Sequence, residues 1–478
     1  MGKIRNQPTG RFTETGIGPL KTYLISLWDT LRSGYWFIPA CVCLATATLA
    51  IIIPIFELQF TDSGSLIAPA WLRTTHESAV TMLSSIFGAM ITVIGTVFSI
   101  TIVALSLTSQ QFGPRLLRQF MSDRTTQWTL GFFIATATYC LLLLRVLDKN
   151  RTADQLPHLS VAVGVGLAII SIAVLIHFIH HVAVHIQAPS VVAAVASELD
   201  ASIERLFPVR VGCTDENQSL GVTDDLGNPS ATILSRHEGY IQAIDAEGLL
   251  SFCCENQFIV KLLCRPGDFI SEGTALLGIW CAGAEARQWL ESDAAQHDSQ
   301  TTARDVAEHQ VNDLFIVGRI RTPRQDARCA VDELVEVAVR SLSPGINDPF
   351  TACNCIDRLS AALAKLSERE MPSPYRYDSD NRLRVIAPAV RFQELLDAAF
   401  DPIRRNGADC VQVLIRLMVM LEKLDVRAAR EEDREAIGRH AGLVAQCGER
   451  LTSDYDVSCI ADAYERFQAR PSSSISSQ

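Results

Sequence analysis

The sequence predicts a membrane α-helical protein: four transmembrane helices, then a small β module and an α-helical cytoplasmic domain. Three observations carry this. Four long runs contain no Asp, Glu, Lys or Arg: Ser33–Phe56, Ser78–Pro114, Thr125–Leu144 and Gln155–Ser197. Charge is split unevenly, with 12 Lys and Arg against 8 Asp and Glu in residues 1–189, and 30 against 45 in the remainder. After residue 230 the pattern turns to short strand-like runs between turn residues, and after about 300 to apolar residues at three- and four-residue spacing. The 478 residues are 48% hydrophobic and 20% charged, too apolar for a largely disordered chain. An acidic rear half excludes nucleic acid as a partner, because phosphate binding needs clustered Lys and Arg.

A helix needs about 20 apolar residues to cross a hydrocarbon core of ~30 Å. All four charge-free runs reach that length, and they predict spans near 35–56, 79–107, 127–147 and 158–186. The first starts too late for a signal peptide and lacks a short apolar core with a small-residue cleavage site. Orientation follows from Lys and Arg in short loops. Lys3, Arg5, Arg11, Lys21 and Arg32 precede the first span, and Arg115, Arg118 and Arg124 follow the second. Only Arg73 follows the first span, and Arg145, Lys149 and Arg151 follow the third. The bias places both termini inside, at a bacterial inner membrane. Eleven of the 14 Cys lie after residue 200 without a CxxC pair, which suits reduced thiols rather than a disulfide framework.

The second run would extend roughly 55 Å as one helix, at ~1.5 Å per residue, so its end projects beyond the bilayer. Ser85, Thr92, Ser99 and Ser106 recur at heptad spacing, with Gly88, Gly95 and Thr96 on the same side. Small and hydroxyl-bearing residues on one stripe suit a close helix–helix seam or the lining of a wet path shared by several chains. Ser, Gly and Thr there are expected to face protein or water, never lipid. The fourth span ends in His177, His180, His181 and His185, of which 177, 181 and 185 share a face. No Cys, Asp or Glu lies within a turn to complete a metal site. An interfacial histidine belt and a pH-sensing group are the readings left open beside metal binding.

The domain plan is a cytoplasmic segment 1–33, a membrane domain 34–187, a helical linker and polar loop 188–230, a β module 231–282, a helical domain 300–467 and a disordered tail 468–478. In the β module the strand-like runs are Ala231–Ser235, Gly239–Ile244, Gln257–Cys264 and Ala275–Trp280. Between the last two, Pro266-Gly267-Asp268-Phe269-Ile270-Ser271-Glu272-Gly273 resembles the turn of barrel-sandwich hybrid domains such as biotinyl and lipoyl carriers. Lys261 lies inside a strand-like run, not on a hairpin tip, so the module reads as structural and not as a carrier. Three dipeptides look like helix starts: Thr322-Pro323, Asp348-Pro349 and Asp401-Pro402. Ser343-Pro344-Gly345 stops the first of these helices, and Ser341–Asp348 reads as a rigid, buried junction. Met371–Asn381 reads as a linker.

The densest polar cluster holds Arg319, Arg321, Gln325, Asp326, Glu333, Glu336, Arg340, Asn347, Asp348 and Asp357. It suits a salt-bridged helical pair, a subunit interface or a ligand site. As an enzyme it would use Asp326 or Glu333 as base and Arg319 or Arg321 as anion clamp, but the spacing matches no catalytic geometry. No Walker loop, GxGxxG, HExxH or GxSxG occurs, so no enzyme activity, cofactor or metal is expected.

Ile91–Arg118, Phe178-Ile179-His180-His181, Ser341–Ala352 and the Arg265–Phe269 turn together resemble domain-of-unknown-function family 2254, bacterial membrane proteins, over residues of about 20 to 425. The resemblance implies membrane location and domain order, and no activity. The expected function is an oligomeric passive channel or pore subunit with a cytoplasmic regulatory domain. The alternative is a membrane-anchored sensor or scaffold whose cytoplasmic domain binds a partner or small ligand. The expected partners are the lipid bilayer and further copies of the chain; the ligand or solute is unknown. The spans carry no buried Asp, Glu, Lys or Arg in this reading, which favours a passive path over proton-coupled transport.

Overall fold

The charge-free runs fold as helices because a backbone withdrawn from water must bond to itself. The structure, a computed structural model, describes residues 36–62, 74–113, 123–147, 157–207, 227–281 and 303–469. The N-terminal segment, most of the Lys and Arg used for orientation, the polar loop before Gly227 and the tail from residue 470 lie outside the described residues. The chain divides into two units, Met1–Gln110 with Pro114–Ile186, and Gln111–Gly113 with Gln187–Gln478.

The first unit contains α1 (Phe37–Asp62), α2 (His76–Phe112), α3 (Arg124–Val146) and α4 (His158–His185). All four contain stretches long and apolar enough to cross a membrane. α1 and α3 pack most closely: a Cβ on Gly131 would come within 3.0 Å of Pro39 Cα. α2 is held differently. Ala79, Leu83, Met90, Val97 and Ala104 are buried along one edge. Leu83 joins Tyr139, Cys140, Leu143 and Val161, while Met90 and Val97 join Leu130, Phe133 and Phe178. Gly164 on α4 leaves room for Leu83, since a Cβ there would stand 3.0 Å from its Cδ2. Only 11% of the apolar window of α2 is buried, against 56% for α3.

One feature corrects the sequence reading of the spans. α1 runs past Phe56, and Glu57 is buried at 8% exposure. Its carboxylate accepts the Leu159 N–H at 2.6 Å, and the Ser160 N–H and hydroxyl at 3.1 and 3.0 Å. Tyr139 donates to the Ser160 carbonyl at 2.9 Å. Glu57 thus caps the positive end of α4, where unpaired N–H groups and the helix dipole stabilise an anion. That is why a charge survives in an otherwise apolar helix.

The second unit begins with α5 (Ala188–Leu206), which packs on α8 (Ala327–Ser341) and α9 (Pro349–Ser367). Its strands are β1 (Ala231–Leu234), β2 (Gly239–Ile244), β3 (Phe258–Leu262), β4 (Phe269–Ile270), β5 (Ala275–Cys281), β6 (Phe315–Gly318), β7 (Tyr375–Tyr377) and β8 (Leu383–Ile386). They form a five-stranded sheet in the order β1-β5-β3-β8-β7 and a three-stranded sheet, β4-β2-β6. β3 and β8 are parallel, with Val260 opposite Val385. A parallel pair needs a crossover, so the chain must leave the sheet and return. The strands are therefore not confined to 231–282: β6, β7 and β8 come from the segment expected to be helical. Two short helices, α6 (Ala246–Glu255) and α7 (Ala303–Asp313), cover the strands, and Phe252, Phe258, Leu277, Val311 and Phe315 share one core. A helical layer completes the unit with α8, α9, α10 (Phe392–Asn406), α11 (Val411–Arg427), α12 (Glu431–Gly448) and α13 (Asp454–Gln468).

Two helix starts and one linker differ from the sequence reading, and one helix start agrees with it. α8 starts at Ala327, not after Thr322-Pro323; Asp326 caps it by accepting the Cys329 N–H at 3.1 Å. Pro402 lies inside α10, which starts ten residues earlier at Phe392. Met371–Asn381 is no linker, since it carries β7. Asp348 caps α9 as expected, accepting from Phe350 N and Thr351 N, both at 3.1 Å, and from the Thr351 hydroxyl at 2.6 Å. The Ser341–Asp348 junction is not buried, however. Residues 344–347 are exposed, Ile346 at 42%, and within the junction Ser341 alone is buried. Its left-handed residue is Asn347 (φ 50°), not Gly345, around which a Cβ would meet nothing within 4 Å.

Candidate functional site

Two places in the chain gather the residues singled out from sequence. The first is the outer face of α2. Ser85, Thr92, Ser99 and Ser106 are all exposed, as are Gly88, Gly95 and Thr96. They lie two positions after the buried Leu83, Met90, Val97 and Ala104. Two residues turn a helix by about 200°, so the stripe points away from the other three helices of its own unit. Among the described residues of its own unit it forms no seam. Ser85, Thr92 and Thr96 donate to the i−4 carbonyls of Thr81, Gly88 and Thr92 at 2.8, 3.1 and 3.0 Å. The hydroxyl oxygens keep lone pairs for another partner. By contrast, α4 exposes Ile169, Ile170, Ile172, Ile176 and Ile179, and α1 exposes Ile51, Ile52, Ile55 and Phe56. Those faces match lipid. On α2 the exposed large side chains Ile91, Phe98 and Ile102 lie on one flank of the stripe, while Val103 stands within it and Met82 and Leu107 on the other flank.

His177, His181 and His185 at the end of α4 lie ring beside ring, tilted to one another by 31–40°. Ring centroids of His177 and His181 are 6.3 Å apart, and those of His181 and His185 are 4.0 Å apart. His181 Nδ1 lies 3.7 Å from Asp123, the carboxylate that caps α3. No group of three His, Cys, Asp or Glu side chains with metal-holding geometry occurs among the described residues.

The second place is a pocket of about 300 Å³ in the second unit. It brings together two motifs that lie 59 positions apart, the Pro266-Gly267-Asp268 turn and the start of α8. Gly267 (φ +96°) presses on Asp326 so closely that a Cβ would fall 2.2 Å from its Oδ2. Asp326, 6% exposed, accepts from Arg321 Nε at 3.0 Å and Nη2 at 2.7 Å, and Arg321 Nη1 reaches Asp332 at 2.7 Å. Burial pushes the Asp326 carboxyl above its ordinary range, against the pull of Arg321. Gln325 closes the corner with two bonds to the Ile244 backbone, 2.9 and 3.1 Å. Arg265, bonded to Glu394 at 2.8 Å, and Arg376 also line the pocket. Near the turn, burial pushes the Cys264 thiol up to about 12, far from nucleophilic use at neutral pH.

The remaining members of the sequence cluster lie elsewhere. Arg319 is exposed. Arg340 pairs with Glu336 at 3.2 Å, and both crowd Gly113, whose Cβ would meet the Glu336 carboxylate at 2.4 Å. Asp357 holds Arg416 through two bonds that tie α9 to α11. Glu333 is half-buried on α8, and Asn347 with Asp348 forms the exposed turn before α9. The cluster is thus several local pairs, and only Arg321, Gln325 and Asp326 reach the pocket.

Sequence reading missed a buried histidine. His440 on α12 is 1% exposed, with Nε2 2.8 Å from Asp397 Oδ1 and Nδ1 3.9 Å from Asp401. Arg439 and Arg404 share the same carboxylates, and Phe400 packs against the ring edge-on. Nδ1 has no hydrogen-bond partner. Burial lowers its pKa below 6.5, against the pull of the two aspartates. A lowered folded value means that the neutral ring's stabilisation is full above 6.5 and is lost as pH falls below it. The expected result is a melting temperature that drops between about pH 7 and pH 5 in the wild type and drops less in His440→Gln. Thermal melting across that range checks it.

The apolar helices, the mixed five-stranded sheet, the antiparallel three-stranded sheet and the helical layer describe a membrane protein with a large second unit. The chain belongs to the family described as "Predicted membrane protein (DUF2254)", which matches residues 32–423. It is 28% identical over 433 residues to the uncharacterized protein MT1328 of Mycobacterium tuberculosis, covering 90% of this chain and 79% of that protein. The uncharacterized protein Mb1321c of Mycobacterium bovis is 27% identical over the same length, with the same coverage. No solved structure matches the chain.

Proposed function

We propose that this chain is a non-enzymatic pore subunit: a passive channel in the bacterial inner membrane, built from several copies, with both termini and the second unit in the cytoplasm. The observation that supports this is the outward face of α2. A stripe of Ser, Thr and Gly turned away from its own unit would be wasted against lipid, and it suits water or a second copy of α2. Four helices in one chain leave little room for an internal path, so the path forms on an axis shared by copies. Glu57 on α1 is committed to capping α4, and α2 carries no Asp, Glu, Lys or Arg from Ser78 to Phe112, which keeps the reading passive.

The test is thiol accessibility. Cysteine is placed singly at Ser85, Thr92, Ser99 and Ser106 in a background freed of native cysteine, and probed with a water-soluble, membrane-impermeant reagent. Thr92 and Ser99, the middle pair, should react. No reaction at any of the four sinks the wet path. The pocket in the second unit then favours the second reading, a membrane-anchored sensor that binds a small ligand.

A further inference from the structure

We infer that the pocket between the Arg265–Phe269 turn and the start of α8 binds a small, soluble phosphate ester, its phosphate held by Arg376 and Arg265. This rests on the pocket alone and stands whether or not α2 lines a path. A guanidinium offers five N–H groups in a fixed fork that matches phosphate oxygens. Arg321 has spent its fork on Asp326 and Asp332. Arg265 uses only Nη1, on Glu394 at 2.8 Å. Arg376 uses only Nη1, on the carbonyls of Ser373 and Tyr375. Nε and Nη2 of both arginines are uncommitted among the described residues.

The acids do not cancel this. Glu394 belongs to Arg265, and Asp326 to Arg321. Asp268 accepts the Arg265 backbone N–H at 2.9 Å, which holds the turn. Arg376 therefore faces the pocket with carbonyl partners and no carboxylate. Two half-used forks suit the three oxygens of a phosphate better than the two of a carboxylate, which one fork would satisfy. The apolar part of the lining comes from Phe207, Pro266, Pro388, Val390 and Leu395. It would stay wet over bare phosphate, so the ligand carries an apolar or ring body. About 300 Å³ holds one such body and not the two acyl chains of a phospholipid.

The experiment uses the full chain in detergent and ³¹P and ¹H line broadening, which reports millimolar binding. The probes are phenyl phosphate and AMP, with phenol and inorganic phosphate as the two halves. Phenyl phosphate or AMP should bind at least about ten-fold more tightly than either half. Arg376→Gln should weaken that binding about ten-fold and Arg376→Lys less, because lysine keeps the charge and loses the fork. Among the described residues the Arg376 side chain bonds to two carbonyls alone, so an unchanged melting curve is expected for both variants. The inference is overturned if neither ester binds at about 10 mM. Binding to folded Arg376→Gln that equals wild type also overturns it. Inorganic phosphate binding as tightly as the esters overturns the apolar-body assignment and with it the ligand class.

Discussion

Replacing Asp326 with alanine should lower the stability of the second unit by about 3–5 kcal/mol, a drop in melting temperature of roughly 10 °C. The carboxylate is 6% exposed, caps α8 and receives two bonds from Arg321. Its loss leaves the half-buried guanidinium with Asp332 alone. Gly267→Ala should be comparably damaging for two separable reasons. Its φ of +96° disfavours any side chain, and a Cβ would lie 2.2 Å from Asp326 Oδ2. The double variant separates them. With Asp326 already truncated, the clash disappears and Gly267→Ala costs only its backbone share, about 1–2 kcal/mol. Melting the two single variants and the double variant gives the coupling; strict additivity would refute the contact between turn and helix.

Gly88→Leu and Gly95→Leu should be nearly silent within one chain and severe between chains. A Cβ at either position meets nothing within 4 Å. Where helices of two copies approach at glycine, a leucine forces them apart. The assembled fraction should fall about ten-fold or more, the equivalent of ~1.4 kcal/mol, while helical content by circular dichroism is kept. Ion or solute flux into vesicles, if present in the wild type, should fall with it. Leucine at both glycines with assembly unchanged would return this face to lipid.

These two predictions mark what the sequence makes legible. Membrane-length helices announce themselves by missing charges, because the hydrocarbon core imposes length and apolarity on every span. α1 was cut short at Phe56 by the same rule, since the charge at Glu57 is tolerated only through the N–H groups of Leu159 and Ser160, about a hundred positions away. Heptad spacing placed the α2 stripe on one face, but which way the face turns depends on where Leu83 and Val97 find partners. In the second unit, local cap signals worked at Asp348-Pro349 and failed at Asp401-Pro402. Asp401 instead pairs with Arg404 and Arg405 at 2.9 and 3.2 Å, in the middle of a helix held by buried Phe392, Leu396 and Phe400. β7 and β8 are three and four residues long, too short for a period to show; β8 becomes a strand by joining β3, and β7 by joining β8. The pocket was half legible. Arg321, Gln325 and Asp326 stood out as polar density, and Gly267 stood out as a turn. Their meeting, and the part of Arg376, are made by the fold alone.

The measurement that bears most directly on the central claim is the mass of the assembled protein in a bilayer. Native mass spectrometry of the full chain released from lipid nanodiscs should show a discrete species of about three or more copies of the 52.5 kDa chain. A single species at 52.5 kDa would contradict it, because one copy leaves the α2 stripe facing lipid with no axis to line.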